Sequence, residues 1–335
     1  MGLLSFVIFF LTLVAIYAIL SIGININWGG TGLFNVSIHG MMLIGAYTSA
    51  ILTTQPTGTR FGGFGLPFIV GILGAMIVTG IVSLCLLPFA YRLKDLNYFA
   101  LGCLGFAEIM RLIAVQEDGL TQGPMGIGMI PQPLRNLIAS RFLYDILYLI
   151  IVIVILIIVY FLVEKIIKTP WGRVLRSIRE DEKVSRSLGK NVFGYKIQSI
   201  VIASMVFGLG GALLAHLYTY ITPNNFEPIY TFIIWIMMIT GGIGNNLGMI
   251  VGAAIIRLAW EGTIIAVDYL PPVLATRMGD IRLFVIGVVL IIVMLWSPSG
   301  IFPENKRVSR FLKISNYDIN KSANVRRDLN ERDSS

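Results

Sequence analysis

Long, continuous apolar runs are the feature of this 335-residue sequence that most limits its possible folds. Runs such as residues 143–163 are long enough to cross a bilayer, which takes about 20 residues of α-helix. Backbone polar groups inside lipid must be paired within the protein, so membrane-crossing segments are helices or closed barrels. The runs do not alternate apolar and polar residues. The sequence therefore predicts an all-α polytopic membrane protein, in agreement with its 56% hydrophobic and 13% charged content.

About nine segments, with eight to ten as the range, are expected to cross the membrane, some of them as broken helices. They are residues 3–22, 32–52, 66–90, 97–115, 143–163, 197–220, 229–241, 248–267 and 281–297. The first of these lacks a preceding basic stretch and a small-residue cleavage site. It is therefore expected to remain as a span and not to be removed as a signal peptide.

The lysines and arginines predict the orientation of the chain. Of the 26, nine lie within residues 164–196 and eight within residues 304–335. Because basic segments are typical of cytoplasmic loops, both regions are placed in the cytoplasm, and four crossings between them return the chain to that side. The same count places the N-terminus outside. This clustering favours membrane topology over nucleic-acid binding as the reason for the net charge of +8.

Residues 1–303 are predicted to form a transmembrane domain, and residues 304–335 a polar, partly disordered cytoplasmic tail.

Two segments interrupt the apolar pattern, "NINWGGTGLFNVSIHG" at residues 25–40 and "TGGIGNNLG" at residues 240–248. Non-helical backbone at membrane depth occurs inside protein or beside a water-filled cavity, and broken helices often mark transport pathways. The breaks therefore favour a transporter, although glycine kinks that only aid packing remain an alternative. The candidates for the pathway or gate are Asn35, His39, Glu108, Gly241, Gly242, Gly244 and Asn245. Glu108 can also pair with Arg111 one turn away, and His39 can be a packing residue.

The segment "RSIREDEKVSRSLGKN" at residues 176–191 is strongly charged between two apolar runs. A helix is predicted from Trp171 to Gly189, after Pro170 and before a Gly–Lys–Asn stop. Such a helix must lie at the cytoplasmic surface. Its acidic triplet, residues 180–182, favours a protein partner over a simple collar for anionic lipid.

The sequence contains no constellation of residues typical of an enzyme. It lacks the G-x-x-x-x-G-K-[ST] phosphate-binding signature, and its two histidines, His39 and His216, lie far apart. Cys85 and Cys103 form no metal or disulfide pattern. The chain is expected to bind no cofactor or metal. A run of acidic residues that could form a proton relay is also missing, which disfavours an ion-coupled carrier.

Four motifs together resemble the permease subunits of branched-chain amino-acid ABC importers. Residues 176–191 are similar to the family pattern R-A-I-R-E-D-E-x-A-A-x-x-L-G-x-N. The segments "WGGTGLFNVSIHGMMLIGAYTSA" (28–50), "LTQGPMGIGMIP" (120–131) and "TGGIGNNLGMIVGAAII" (240–256) resemble other conserved stretches of that family, in the same order.

This resemblance implies a multi-pass permease of the cell membrane with the cobalamin-importer-type (type II) architecture. It implies a second homologous permease, two ABC ATPase subunits that use ATP and Mg²⁺, and an external substrate-binding protein as partners. Residues 171–196 would be the cytoplasmic coupling segment. The residues expected to couple to the ATPases are Arg176, Arg179, Glu180, Asp181, Glu182, Arg186, Leu188 and Gly189.

The resemblance predicts leucine, isoleucine, valine or related amino acids as substrates. Ser37 and Ile38 replace the usual small glycine before His39, and Met41 and Met42 replace a common aromatic pair. These departures leave a urea or short-amide permease of the same superfamily as the alternative. An ion-coupled carrier or a channel that acts alone is the candidate from another class.

Overall fold

The apolar runs fold into helices in the computed structural model, which describes residues 2–56, 61–92, 96–135, 138, 140–267, 277–297 and 299–304. In chain order the α-helices are α1 (Gly2–Asn25), α2 (Ile38–Thr53), α3 (Phe68–Val82), α4 (Leu87–Arg92), α5 (Leu96–Gln116), α6 (Asp118–Thr121), α7 (Arg141–Lys168), α8 (Pro170–Glu180), α9 (Glu182–Ser187), α10 (Val192–Tyr218), α11 (Pro228–Gly241), α12 (Asn246–Val267) and α13 (Met278–Trp296). A π-helix (Ile26–Thr31) continues α1, and 3-10 turns lie at Ser83–Leu86, Gly123–Met125 and Pro223–Phe226. The predicted tail, residues 304–335, lies outside the described residues apart from Glu304.

Six helical stretches in the described part of the chain are long and apolar enough to cross a membrane. They are Leu4–Thr31, Phe68–Arg92, Asn97–Gln116, Arg141–Lys168, Val192–Tyr218 and Gly279–Trp296. Each overlaps one of the nine predicted crossings. The other three predicted crossings fall on α2, α11 and α12, which are also helical. The protein is thus an all-helical polytopic membrane protein, as the sequence predicts.

Helices α1 and α10 form the centre of the bundle. In each of these helices, 78% of the most apolar 18-residue stretch is buried. The corresponding buried share is 28% for α7 and 6% for α13. Helix α10 packs against α1, α2 and α3, and α1 packs against α7 and α12. A helix that is apolar on all sides is suited to burial, and lipid can cover the outward faces of α7 and α13.

Close approach between α2 and α10 depends on glycines. A Cβ atom on Gly45 would lie 2.3 Å from the backbone oxygen of Gly208, and a Cβ atom on Gly211 would lie 2.0 Å from that of Met42. Real side chains do not tolerate such distances to backbone atoms. Small residues at this interface therefore allow the two helices to pack backbone against backbone.

The first predicted break is shorter than expected. Residues 26–31, expected to be non-helical, form the π-helix, and Gly32 ends it in the left-handed conformation with φ 71°. Only residues 32–37 leave helical structure, so α2 begins at Ile38, within the second predicted crossing. The side chain of Asn35 explains this late start, because its Oδ1 atom accepts a hydrogen bond from the Ser37 amide at 2.9 Å and holds a turn there.

The second predicted break is confirmed between α11 and α12. Gly242 and Gly244 have φ values of 113° and 84°, which favour glycine. Asn245 then begins α12, since its Oδ1 atom accepts a hydrogen bond from the Leu247 amide at 3.0 Å.

The single helix predicted from Trp171 to Gly189 is wrong, because the chain forms α8 and α9 with Asp181 between them. Asp181 has extended backbone (φ −153°), and its carboxylate accepts hydrogen bonds from the amides of Lys183 and Val184. Aspartate is a favourable N-cap residue because its carboxylate accepts hydrogen bonds from the first free amides of a helix. Asp181 therefore ends α8 and starts α9.

Candidate coupling and pathway site

Helix α8 has one buried face and one exposed face. Gly172, Leu175 and Ile178 are buried and recur every third residue, so they share one side of the helix. Gly172 lies against the end of α7, where a Cβ atom would be 2.0 Å from the Ile167 oxygen. The polar side is left for solvent or a partner.

The buried face of α8 packs on the π-helix that ends α1. Gly30 contacts Leu175, whose Cδ1 atom would lie 3.2 Å from an added Cβ atom. Arg179 donates a hydrogen bond from Nη1 to the backbone oxygen of Gly29 at 2.5 Å. Carbonyls in the last turn of a helix lack intrahelical partners, and a basic group there is favourable. The contact therefore fixes the charged segment to the first break.

The remaining predicted coupling residues divide into those with structural contacts and those that face outward. Arg176 donates to the Ile167 oxygen at 3.1 Å and so connects α8 to α7. Glu182 pairs with Arg186 at 2.8 Å and with Lys196 at 2.6 Å. The pair with Arg186 lies within α9, and the pair with Lys196 joins α9 to the start of α10.

The other predicted coupling residues face outward. Glu180 and Gly189 are exposed. Val184 and Leu188, both apolar, are 53% and 70% exposed on the same short segment. These two exposed apolar side chains lie among charges, and a docking role for this surface stays a prediction.

The two breaks meet at Asn25, which the sequence analysis did not select. Its Oδ1 atom accepts a hydrogen bond from the Gly244 amide at 2.9 Å, and its Nδ2 atom donates to Asn246 Oδ1 at 2.8 Å. Asn246 in turn donates to Glu164 Oε2 at 2.8 Å, and Glu164 pairs with Lys168 at 3.0 Å. A chain of polar contacts thus joins the end of α1, the start of α12 and the end of α7.

Helix α10 contributes to the same region through Ser199. Its hydroxyl donates to the Ile26 oxygen at 3.1 Å and lies 3.0 Å from Asn27 Oδ1. The residues missed by sequence reasoning, Asn25, Asn246, Glu164 and Ser199, share one signal: each is a polar residue at the edge of, or within, an apolar run. That signal alone does not identify their partners.

His39 and Glu108, two of the predicted pathway residues, lie near each other. The Nδ1 atom of fully buried His39 is 2.9 Å from Thr231 Oγ1 on α11. Its Nε2 atom is 3.9 Å from Glu108 Oε2 on α5. Glu108 also accepts a hydrogen bond from Arg111 Nε at 3.0 Å, so the predicted i,i+3 ion pair is confirmed.

Asn35 and His39 contact the same side of α11, through Trp235 and Thr231 respectively. Its backbone oxygen accepts a hydrogen bond from Trp235 Nε1 at 3.2 Å, and Trp235 packs against Trp28 and Phe34 with ring centroids 5.4 and 4.3 Å away. In the described part of the protein, Asn35 Nδ2 and His39 Nε2 are buried without a hydrogen-bond partner. Buried polar atoms of this kind are available to water or to a polar ligand.

The predicted pathway glycines make close helix contacts. A Cβ atom on Gly241 would lie 2.1 Å from the Gly248 oxygen, and one on Gly242 would lie 2.2 Å from the Phe302 oxygen. Gly244 contacts Asn25, and Asn245 caps α12. These contacts agree with the packing alternative, and a pathway role for the four residues stays a prediction. Among the described residues there is no cluster of His, Cys, Asp or Glu suited to a metal ion.

Comparison with known proteins identifies the family. A family model described as "Branched-chain amino acid transport system / permease component" matches residues 6–294. The chain is 27% identical to the high-affinity branched-chain amino acid transport system permease protein LivM of Escherichia coli, over 88% of this chain and 69% of that protein. It is 25% identical to the corresponding permease protein LivH of Salmonella typhimurium, over 89% of this chain and 95% of that protein.

A further relative is the guanosine ABC transporter permease protein NupQ of Bacillus subtilis, 28% identical over 55% of this chain and 59% of that protein. No solved structure matches the chain. The family model covers most of the sequence, including α1, both breaks and the charged segment of α8 and α9. The chain therefore belongs to the branched-chain amino-acid transport permease family and is a non-catalytic, multi-pass subunit of an ABC transporter in the cell membrane.

Proposed function

We propose that this chain is the permease subunit of an ATP-driven importer for leucine, isoleucine and valine or related amino acids. It forms the translocation path with a second homologous permease, and two cytosolic ATPases supply the energy by using ATP and Mg²⁺. An external binding protein delivers the substrate, and this chain itself binds no cofactor. Family membership and the relatives named LivM and LivH support this proposal.

The coupling part of the proposal rests on the contact between Arg179 and Gly29. Because α8 packs on the π-helix, a displacement of α8 by an ATPase reaches the end of α1 directly. Asn25 extends this connection to the break before α12. Packed helices move between discrete arrangements more readily than they deform, so the ATPase cycle can shift α1 and α12 together. In the proposed complex the chain has nine crossings and the type II architecture.

The transport test is reconstitution of the whole complex in proteoliposomes. We expect leucine uptake only when the partner permease, the ATPases, ATP and the loaded binding protein are all present. The control carries an ATPase inactivated at its catalytic site and should show no uptake. Leucine uptake by the purified chain alone would contradict the proposal and would support an independent carrier or channel.

The substrate test compares ligands in the same complex. We expect the binding protein loaded with leucine to stimulate ATP hydrolysis, and urea and acetamide to have no effect. Guanosine is included because NupQ carries that substrate in its name, which makes nucleosides the second candidate. Stimulation by guanosine or urea without stimulation by leucine would reassign the substrate and leave the ATP-driven mechanism intact.

A further inference from the structure

A cavity lined by both polar and apolar side chains lies at the end of the bundle opposite the charged segment. It has a volume of about 670 Å³ and is lined by the first turns of α1 and α7, the end of α10, and Gln132 and Arg135 of the loop before α7. Helix α7 runs from Arg141 at the cavity to Lys168 beside α8, and 28 residues of helix extend about 42 Å. On the predicted topology the cavity therefore opens on the external side.

Charges of both signs line this cavity. Arg141 and Asp145, one turn apart on α7, both face it. In the described part of the chain neither side chain has a hydrogen-bond or ion-pair partner, although their i,i+4 spacing is suited to a pair. A second guanidinium, that of Arg135, lies 5.3 Å above the ring of Tyr144 and donates to the Ile138 oxygen at 3.1 Å. The cavity thus contains an available cation and an available anion on adjacent turns.

Tyr144 gives an independent indication that a ligand belongs here. It is 3% exposed, it lines the cavity between Arg141 and Asp145, and its hydroxyl has no partner among the described residues. A buried hydroxyl without a partner is unfavourable, so a ligand atom that accepts or donates a hydrogen bond would be favoured there. Phe6 and Phe9 of α1 also line the cavity and can cover an apolar group.

We propose that this cavity binds the head of a zwitterion, with the anionic group on Arg141 and the Tyr144 hydroxyl and the ammonium on Asp145. Both charges of such a ligand are paired on entry, which offsets their loss of hydration. A branched-chain amino acid has this chemistry together with an apolar side chain for the α1 wall, and this assignment rests on the proposed function. The headgroup of phosphatidylethanolamine has the same two charges and is the other source.

The test measures binding to the full chain in phosphatidylcholine nanodiscs, without ATPases. Radiolabelled leucine is one probe, and retention of added phosphatidylethanolamine, measured by native mass spectrometry, is the other. We expect Asp145→Asn and Arg141→Gln each to weaken the bound ligand by about tenfold or more, because each removes a charge-assisted hydrogen bond. Tyr144→Phe keeps the ring and should weaken binding less. Arg277→Gln, an exposed arginine outside the cavity, is the matched control and should bind as the wild type does.

The outcomes separate the cavity from the proposed function. Variant-sensitive binding of leucine, or of phosphatidylethanolamine alone, supports the zwitterion site and identifies its source. Binding of neither probe, or equal binding by all variants, overturns the site even if the complete transporter imports leucine. Conversely, lipid binding that depends on Asp145, in a transporter that imports no amino acid, would keep the site and reject the proposed substrate. If Asp145→Asn does not fold, the comparison of Tyr144→Phe with Arg277→Gln decides the result.

Discussion

Arg179 and Gly29 are joined by a hydrogen bond of 2.5 Å across 150 residues of sequence. The donor belongs to the charged segment that faces the predicted cytoplasm, and the acceptor belongs to the last turn of the central helix. Together with the packing of Leu175 on Gly30, this hydrogen bond connects the charged segment to the interior of the bundle. It also supplies the most direct test of coupling.

Arg179→Met keeps much of the apolar stem of the side chain and removes the donor to Gly29. Because a hydrogen bond from a charged group contributes about 1.5–3 kcal/mol, we expect leucine uptake by the reconstituted complex to fall about tenfold while ATP hydrolysis continues. Arg173→Met is the control on the exposed face of the same helix. Equal effects of the two substitutions would show that the contact with Gly29 has no special role.

Substitution of Asp181 separates its capping role from its charge. Asp181→Ala removes the cap of α9 and should destabilise that helix by about 1 kcal/mol, whereas asparagine also caps well and should preserve it. Hydrogen exchange of the amides of residues 182–187 measures the difference. Faster exchange in both variants would mean that the charge of Asp181, and not its capping geometry, holds α9.

Leu188→Asp tests the exposed apolar surface next to α9. Leu188 is 70% exposed, so the substitution should leave the thermal stability of the isolated permease unchanged. Burial of a charge at a protein interface is unfavourable, so we expect loss of copurification with the ATPase subunits. The control Lys190→Asp changes an exposed residue just outside the apolar pair. Undiminished copurification of Leu188→Asp would place the docking surface elsewhere.

Gly45→Ala tests the backbone contact between α2 and α10. The new Cβ atom would lie 2.3 Å from the Gly208 oxygen, so the helices must separate, and overpacking of this kind typically costs about 1–3 kcal/mol. We expect a lower Tm of the detergent-solubilised protein. The matched control is Gly105→Ala on α5, where a Cβ atom meets nothing within 4 Å. An unchanged Tm for Gly45→Ala would contradict the close packing.

Asn25→Ala tests the connection between the two breaks. It leaves the Gly244 amide without its acceptor and removes one partner of Asn246, at a cost of about 1–3 kcal/mol for buried polar groups. We expect both a lower Tm and reduced uptake. The exposed Asn224→Ala serves as the control and should change neither quantity. Full uptake by Asn25→Ala, despite a lower Tm, would confine Asn25 to a structural role.

Sequence alone predicts those parts of this protein that depend on local pattern. The apolar runs identify the long helices, and the glycine-rich segment at residues 240–248 identifies the turn before α12, because both signals depend on residues close together in the chain. The charged segment is likewise visible from its polarity. The prediction of one helix over residues 171–189 is wrong at Asp181, because an aspartate within a helical pattern can either continue that helix or cap the next one.

Contacts between distant segments could not be predicted. The i,i+3 pair of Glu108 and Arg111 follows from spacing, but the approach of His39 to Glu108 depends on how α2 packs against α5. In the same way, Asn25 begins the polar segment at residues 25–40, yet its partners lie more than 200 residues later. Such pairings are decided by helix packing, which glycines such as Gly45 permit.

The π-helix at the end of α1 also has a consequence for the order in which the protein assembles. Its Gly29 and Ile26 oxygens accept hydrogen bonds from Arg179 and Ser199, whose helices are synthesised long after α1. When α1 first enters the membrane, those donors do not yet exist, so this end of the helix must remain incomplete. The last turn of the first helix is therefore among the later parts of the bundle to reach its final form.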